Sequence, residues 1–262
     1  IDTSGTLVGS KGTTSTDGND TFNAVVDNTT ATGVNNQTWT GLDNLDGGKG
    51  NDTINFNDLT ATTAVLNLTT GTIKNIETMN VKTVGDLTLN TTTVEGLETL
   101  NTTKTLFAKL TAATTTDVNV SGASGVITVD GGKNISVTDA TVNKDITIGA
   151  GTKNAGTITV TDTKQGNGEV KIQGGTDVTV TTTGSVKTGG LGTTADITIG
   201  GATVAEQASG AVIVNATGAA YAAGTASTMG NISVTGGKTI SVTQKATSDN
   251  SKAAADESAK DM

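Results

Sequence analysis

From Val118 onward the apolar residues come in pairs, each bracketing a single residue: Val118/Val120, Ile127/Val129, Ile135/Val137, Ile146/Ile148, Ile158/Val160, Val170/Ile172, Val178/Val180, Ile197/Ile199, Val212/Val214, Ile232/Val234 and Ile240/Val242. The bracketed residue is mostly Thr or Ser, as at Thr128, Ser136, Thr147, Thr159 and Thr198. Such alternation makes a short strand with one buried and one wet side. A long series of such strands, punctuated by Gly, Asn and Asp, points to an all-β chain.

Composition agrees and limits how the core can be built. The 262 residues include 58 Thr and 35 Gly but no Cys, His, Pro or Arg, and aromatics make up 2%. Thr and Val favour strands and Gly marks turns. The chain is long enough for a sizeable core, which must be assembled from Val, Ile and Leu in many thin layers. Without Cys, no disulfide framework holds it.

Two alignments suggest how the strands are arranged. Ile73-Lys74-Asn75-Ile76-Glu77-Thr78-Met79-Asn80 matches Val94-Glu95-Gly96-Leu97-Glu98-Thr99-Leu100-Asn101 at an offset of 21, the length of one solenoid coil. Gly125–Ala140 resembles Gly230–Lys245 at an offset of 105, which reads as five coils of 21. A parallel β-solenoid, or β-helix, is therefore expected. The alternative is an antiparallel β-sandwich, because Val129-Asp130-Gly131-Gly132-Lys133-Asn134-Ile135 also reads as a hairpin with a glycine turn.

The N-terminal region carries a more specific pattern. Gly47-Gly48-Lys49-Gly50-Asn51-Asp52-Thr53-Ile54-Asn55 fits the calcium-binding β-roll nonapeptide G-G-x-G-x-D-x-apolar-x at every specified position. Glycines turn the backbone tightly and present carbonyl oxygens, and the aspartate adds a hard anionic oxygen suited to Ca²⁺. Ser15-Thr16-Asp17-Gly18-Asn19-Asp20-Thr21-Phe22 is a second such stretch, lacking the leading glycine pair. The expected metal ligands are Asp17, Asp20, Asp46, Gly48, Gly50 and Asp52. The organisation read from these patterns is a β-roll-like region over 1–60, a Thr/Gly-rich solenoid over 61–245, and a linker or flexible tail over 246–262.

Several functions are disfavoured. A net charge of −9, with 16 Lys against 25 acids and no basic cluster, argues against nucleic acid. No apolar run approaches membrane-spanning length, so no membrane insertion is expected. Without His, Cys and Arg the usual nucleophile–base pairs are missing, and the chain is not expected to be an enzyme. Trp39 and Tyr221 read as packing residues rather than sugar platforms. Thr157/Thr159/Thr161 and Thr179/Thr181 could form a water-ordering grid, but Asp145, Asp177 and Asp196 stand where Thr157 does in other strands and would interrupt it.

The nonapeptide, the Ile-Lys-Asn-Ile-Glu-Thr-Met-Asn-Val unit at 73–81 and the acidic, Cys-free, Thr/Gly-rich chain together resemble the type I-secreted, RTX-like surface-layer (S-layer) proteins of Gram-negative bacteria. That resemblance implies a calcium-dependent β-solenoid outside the cell, whose copies tile into a paracrystalline coat. It also implies anchoring to lipopolysaccharide through a region not in this chain and secretion by a C-terminal signal, so the chain is expected to be a fragment. The rival expectation is a type I-secreted adhesin or an ice-binding module that uses one solenoid face.

Overall fold

The structure, a computed structural model, describes residues 13–15, 17–26, 39, 43–58, 64–65, 72–185, 194–219 and 228–247. Tyr221 and nearly all of the expected tail therefore lie outside the described residues. Every strand pairing among the described residues is parallel. The fold is a parallel β-solenoid, and the sandwich alternative is set aside.

Three sheets run along the stack. The long sheet holds ten strands: Thr21–Val26, Thr53–Asp58, Thr78–Thr83, Thr99–Thr103, Asp117–Ser121, Ile135–Asp139, Ile158–Asp162, Val178–Thr183, Ala211–Thr217 and Thr239–Lys245. The facing sheet holds eight: Ala64–Val65, Leu87–Asn90, Ala108–Ala112, Ile127–Gly131, Ile146–Ile148, Val170–Ile172, Ile197–Ile199 and Ile232–Val234. A third, short sheet of Thr13–Thr14, Asn44–Asp46 and Thr72–Lys74 covers one side near the N-terminus. No helix of the described residues is long and apolar enough to cross a membrane.

This arrangement explains the paired apolar residues. Successive pairs fall alternately on the long and the facing sheet, so one rung uses two pairs. Ile135 and Val137 point inward from one side and Ile146 and Ile148 from the other, all at most 2% exposed. The next rung repeats the layer, and a rung buries its apolar face only by stacking on its neighbours. The 21-residue alignment is the true register, since Met79 and Leu100 are partners, as are Asn80 and Asn101. The 105-residue offset is not five coils. Ile135 reaches Ile240 in four rungs that advance by 23, 20, 34 and 28 residues. Rung length varies because corners accept extra residues while the inward columns keep register.

The proposed hairpin turn is a corner of the coil. Gly131 (φ 73°) and Gly132 (φ 85°) carry the chain from the facing sheet to the long one in a left-handed conformation that disfavours any Cβ. A Cβ on Gly131 would also lie 2.2 Å from the Ala112 carbonyl oxygen of the rung below. On the outer face, Asn23, Asn55, Asn80, Asn101 and Asn119 form a side-chain amide ladder, each Nδ2 from Asn55 onward donating to the Oδ1 of the preceding rung at 2.8–2.9 Å. It covers the first five rungs and helps to fix their register.

Candidate metal centre

The two glycine-rich stretches stack directly on one another. Phe22 pairs with Ile54, the Asn51 N–H donates to Asn19 Oδ1 at 2.9 Å, and the Thr53 N–H donates to the Asp20 carbonyl at 2.9 Å. Asp20 and Asp52 thus occupy equivalent places on adjacent rungs. Gly48 (φ 87°) and Gly50 (φ 124°) adopt the left-handed conformations that the nonapeptide requires of its glycines.

Asp52 is the centre of the group. It is fully buried, and its Oδ1 accepts the Asp20 N–H at 2.6 Å. Its Oδ2 is buried and has no donor. Burial, with the Glu77, Asp20 and Asp46 charges adding to it, pushes this carboxyl above the usual range, against the lowering effect of the Asp20 N–H. Oδ2 and the Asn75 carbonyl oxygen lie 2.7 and 1.7 Å from the place a Gly47 Cβ would take. Gly47 is glycine because those oxygens fill that space. Gly47→Ala is expected to destabilise the chain by about 1–3 kcal/mol through overpacking, read as a lower denaturant midpoint.

The other expected ligands divide. Asp46 turns to the neighbouring rung, with Oδ2 2.9 Å from the Lys74 ammonium and Oδ1 accepting from the Asn75 amide at 2.7 Å. The Lys74 and Asn75 side chains hold it below the usual carboxylate range. Asp17 forms a solvent-exposed ion pair with Lys49 at 2.9 Å, which contributes little to stability. Neither side chain reaches Asp52 Oδ2, because both are committed elsewhere.

Glu77 was not foreseen and belongs to the group. It lies one rung beyond Asp52, and its Oε2 accepts the Asp52 N–H at 2.6 Å. Asp20, Asp52, Glu77 and Glu98 form a row, one acid per rung. The signal was present as Asp20-Thr21-Phe22, Asp52-Thr53-Ile54, Glu77-Thr78-Met79 and Glu98-Thr99-Leu100, an acid–Thr–apolar unit at each strand start. Among the described residues no three acids gather around one point as a ready metal cage; they are spread along the stack. The donor set nevertheless fits a hard cation: an orphaned buried carboxylate oxygen, a backbone carbonyl beside it, and flanking carboxylates whose repulsion an ion relieves. Asp52 would hold Ca²⁺, with Asp20 and Glu77 on the rungs either side.

Trp39 packs in the core, 2% exposed, edge-on to Phe56 at 5.2 Å. Of the three aspartates expected to break the Thr grid, only Asp177 falls in the column of Thr157, as its neighbour beyond the Ile158–Val178 pair. Asp145 and Asp196 precede strands of the facing sheet, and each accepts a backbone N–H of the next rung, from Glu169 at 2.9 Å and Asn231 at 2.7 Å. No protein-family model matches the chain, and no curated protein matches it.

Proposed function

We propose that this chain is a rigid structural module of a calcium-dependent bacterial surface coat, built to associate with further copies of itself rather than to catalyse. One observation carries the reading: the row Asp20, Asp52 and Glu77 at one edge of an all-parallel stack, with Asp52 Oδ2 buried and lacking a donor. Such a row repels itself until a cation bridges successive rungs, so the ion rigidifies the rod where it binds. The resemblance to S-layer proteins supplies the extracellular setting, the lattice of identical copies, and attachment to lipopolysaccharide through another region.

A second reading has its own support. Ser136, Thr159 and Thr179 are register neighbours on the outer face, as are Thr138, Thr161 and Thr181. This uncharged hydroxyl grid suits a face-binding adhesin or ice-binding module. Electron microscopy of the chain in Ca²⁺ and in chelator separates the two. Ordered sheets that dissolve in chelator support the coat. Solitary particles in both conditions, with inhibition of ice recrystallisation, overturn it in favour of the grid.

A further inference from the structure

A second set of donorless oxygens lies inside the solenoid, four rungs beyond Asp52. Asp139 and Asp162 end the strands Ile135–Asp139 and Ile158–Asp162, are register partners, and are each 1% exposed. Asp139 Oδ1 accepts the N–H groups of Ala140 at 2.7 Å and Thr141 at 2.9 Å. Asp162 Oδ1 accepts the Lys164 N–H at 2.9 Å. These bonds fix both carboxyls at the strand ends, and neither buried Oδ2 has a donor. Thr182, the register partner of Asp162 on the next rung, is 1% exposed and its Oγ1 is also without a partner. Gln165, fully buried, donates Nε2 to the Ala195 carbonyl at 3.3 Å and leaves Oε1 unsatisfied.

Native interiors seldom leave so many polar atoms without partners, and carboxylates are the most unfavourable of them to bury alone. We propose that this inner corner binds one Ca²⁺ between Asp139 Oδ2 and Asp162 Oδ2, with Thr182 and Gln165 as further oxygen ligands, direct or through water. The spacing suits it. Adjacent strands lie about 4.7–4.9 Å apart, about twice the 2.3–2.6 Å Ca–O distance, so an ion midway between the rungs sits at ligand distance from both columns. The charge suits it too. A water offers two donors to four oxygens and leaves two buried charges, and a shared proton leaves one. A divalent cation neutralises both carboxylates. The neighbouring ammonium does not, because Lys164 is exposed. The sequence carries the site as Ile-Ser-Val-Thr-Asp at 135–139 and Ile-Thr-Val-Thr-Asp at 158–162.

The test is ion stoichiometry on the full chain. Bound calcium is counted by equilibrium dialysis and elemental analysis at about 10 mM Ca²⁺, above the 10⁻⁴–10⁻³ M range of extracellular sites, with circular dichroism to verify folding. The double variant Asp139→Asn/Asp162→Asn is expected to bind one ion fewer than the wild type. Asp52→Asn is expected to leave this ion in place, so loss of the N-terminal site does not mimic its loss. An unchanged count in the folded double variant overturns the proposal. Should that variant not fold, anomalous diffraction from wild-type crystals decides: a calcium peak between the two Oδ2 atoms supports the site, and a water or no peak overturns it.

Discussion

Replacing Phe56 with Ala is expected to cost about 3–5 kcal/mol, the range for emptying a buried aromatic site. Phe56 is 2% exposed, and its register partners on either side are Ala24 and Val81. The ring therefore fills space that a small Ala24 leaves, and Ala24 cannot refill it. Trp39 loses its edge-to-face partner at the same time, about 0.5–1.5 kcal/mol beyond area burial. From Leu87 onward the buried apolar residues are Ile, Val, Leu and Ala, so truncating one of them removes less. Because a solenoid loses stability rung by rung, the loss is expected in the earliest step of a urea melt followed by circular dichroism, with Trp39 fluorescence shifting in that step. A loss below about 1 kcal/mol would mean that the aromatic layer does not form one packed unit.

The fold was legible because a solenoid repeats its inward columns while its corners vary. Ile158/Val160 and Val170/Ile172 look alike in sequence because both point into the same core from facing sheets. Rung length was not legible, since extra corner residues leave the apolar pairs untouched, and a 105-residue offset covers four rungs rather than five. The Asp130-Gly131-Gly132-Lys133 corner could not be told from a hairpin locally: both need left-handed glycines, and only the partner strand differs. Asp52 and Asp20 stood out because the nonapeptide fixes an aspartate just before an inward apolar residue. Glu77 escaped because its rung follows at 25 residues and lacks glycines. Asp139 and Asp162 escaped because an aspartate closing a strand reads as a turn former; their Oδ1 atoms play that role while their Oδ2 atoms face the interior.

That buried pair also sets the second large effect. In chelator the wild-type chain is expected to lose stability as pH rises from about 4 to 8, and Asp162→Asn to escape the part of that loss that Asp162 causes. Burial, with Asp139 adding its charge against the Lys164 N–H, pushes Asp162 up to about 7, whereas an unfolded aspartate titrates near 3.9. Between those values the folded chain keeps a proton that the unfolded chain has released, so rising pH favours unfolding. The stabilisation is complete below about pH 4 and lost as pH passes through 7. At about 1.4 kcal/mol per pH unit the ceiling is about 4 kcal/mol, and on the order of 2–4 kcal/mol is expected between the two chains at pH 8. Asp52 and Asp139, also raised mainly by burial, act with the same sign in both chains and largely cancel in the comparison. Added Ca²⁺ should reverse the order, because the ionised wild-type site gains a ligand that the amide cannot hold as well. Thermal melts at pH 4, 6 and 8 with and without chelator provide the measurement. If the two chains track each other in chelator across that range, Asp162 ionises in the folded state as freely as in water, and its carboxyl is not the buried, donorless group on which both the pH effect and the inner calcium site depend.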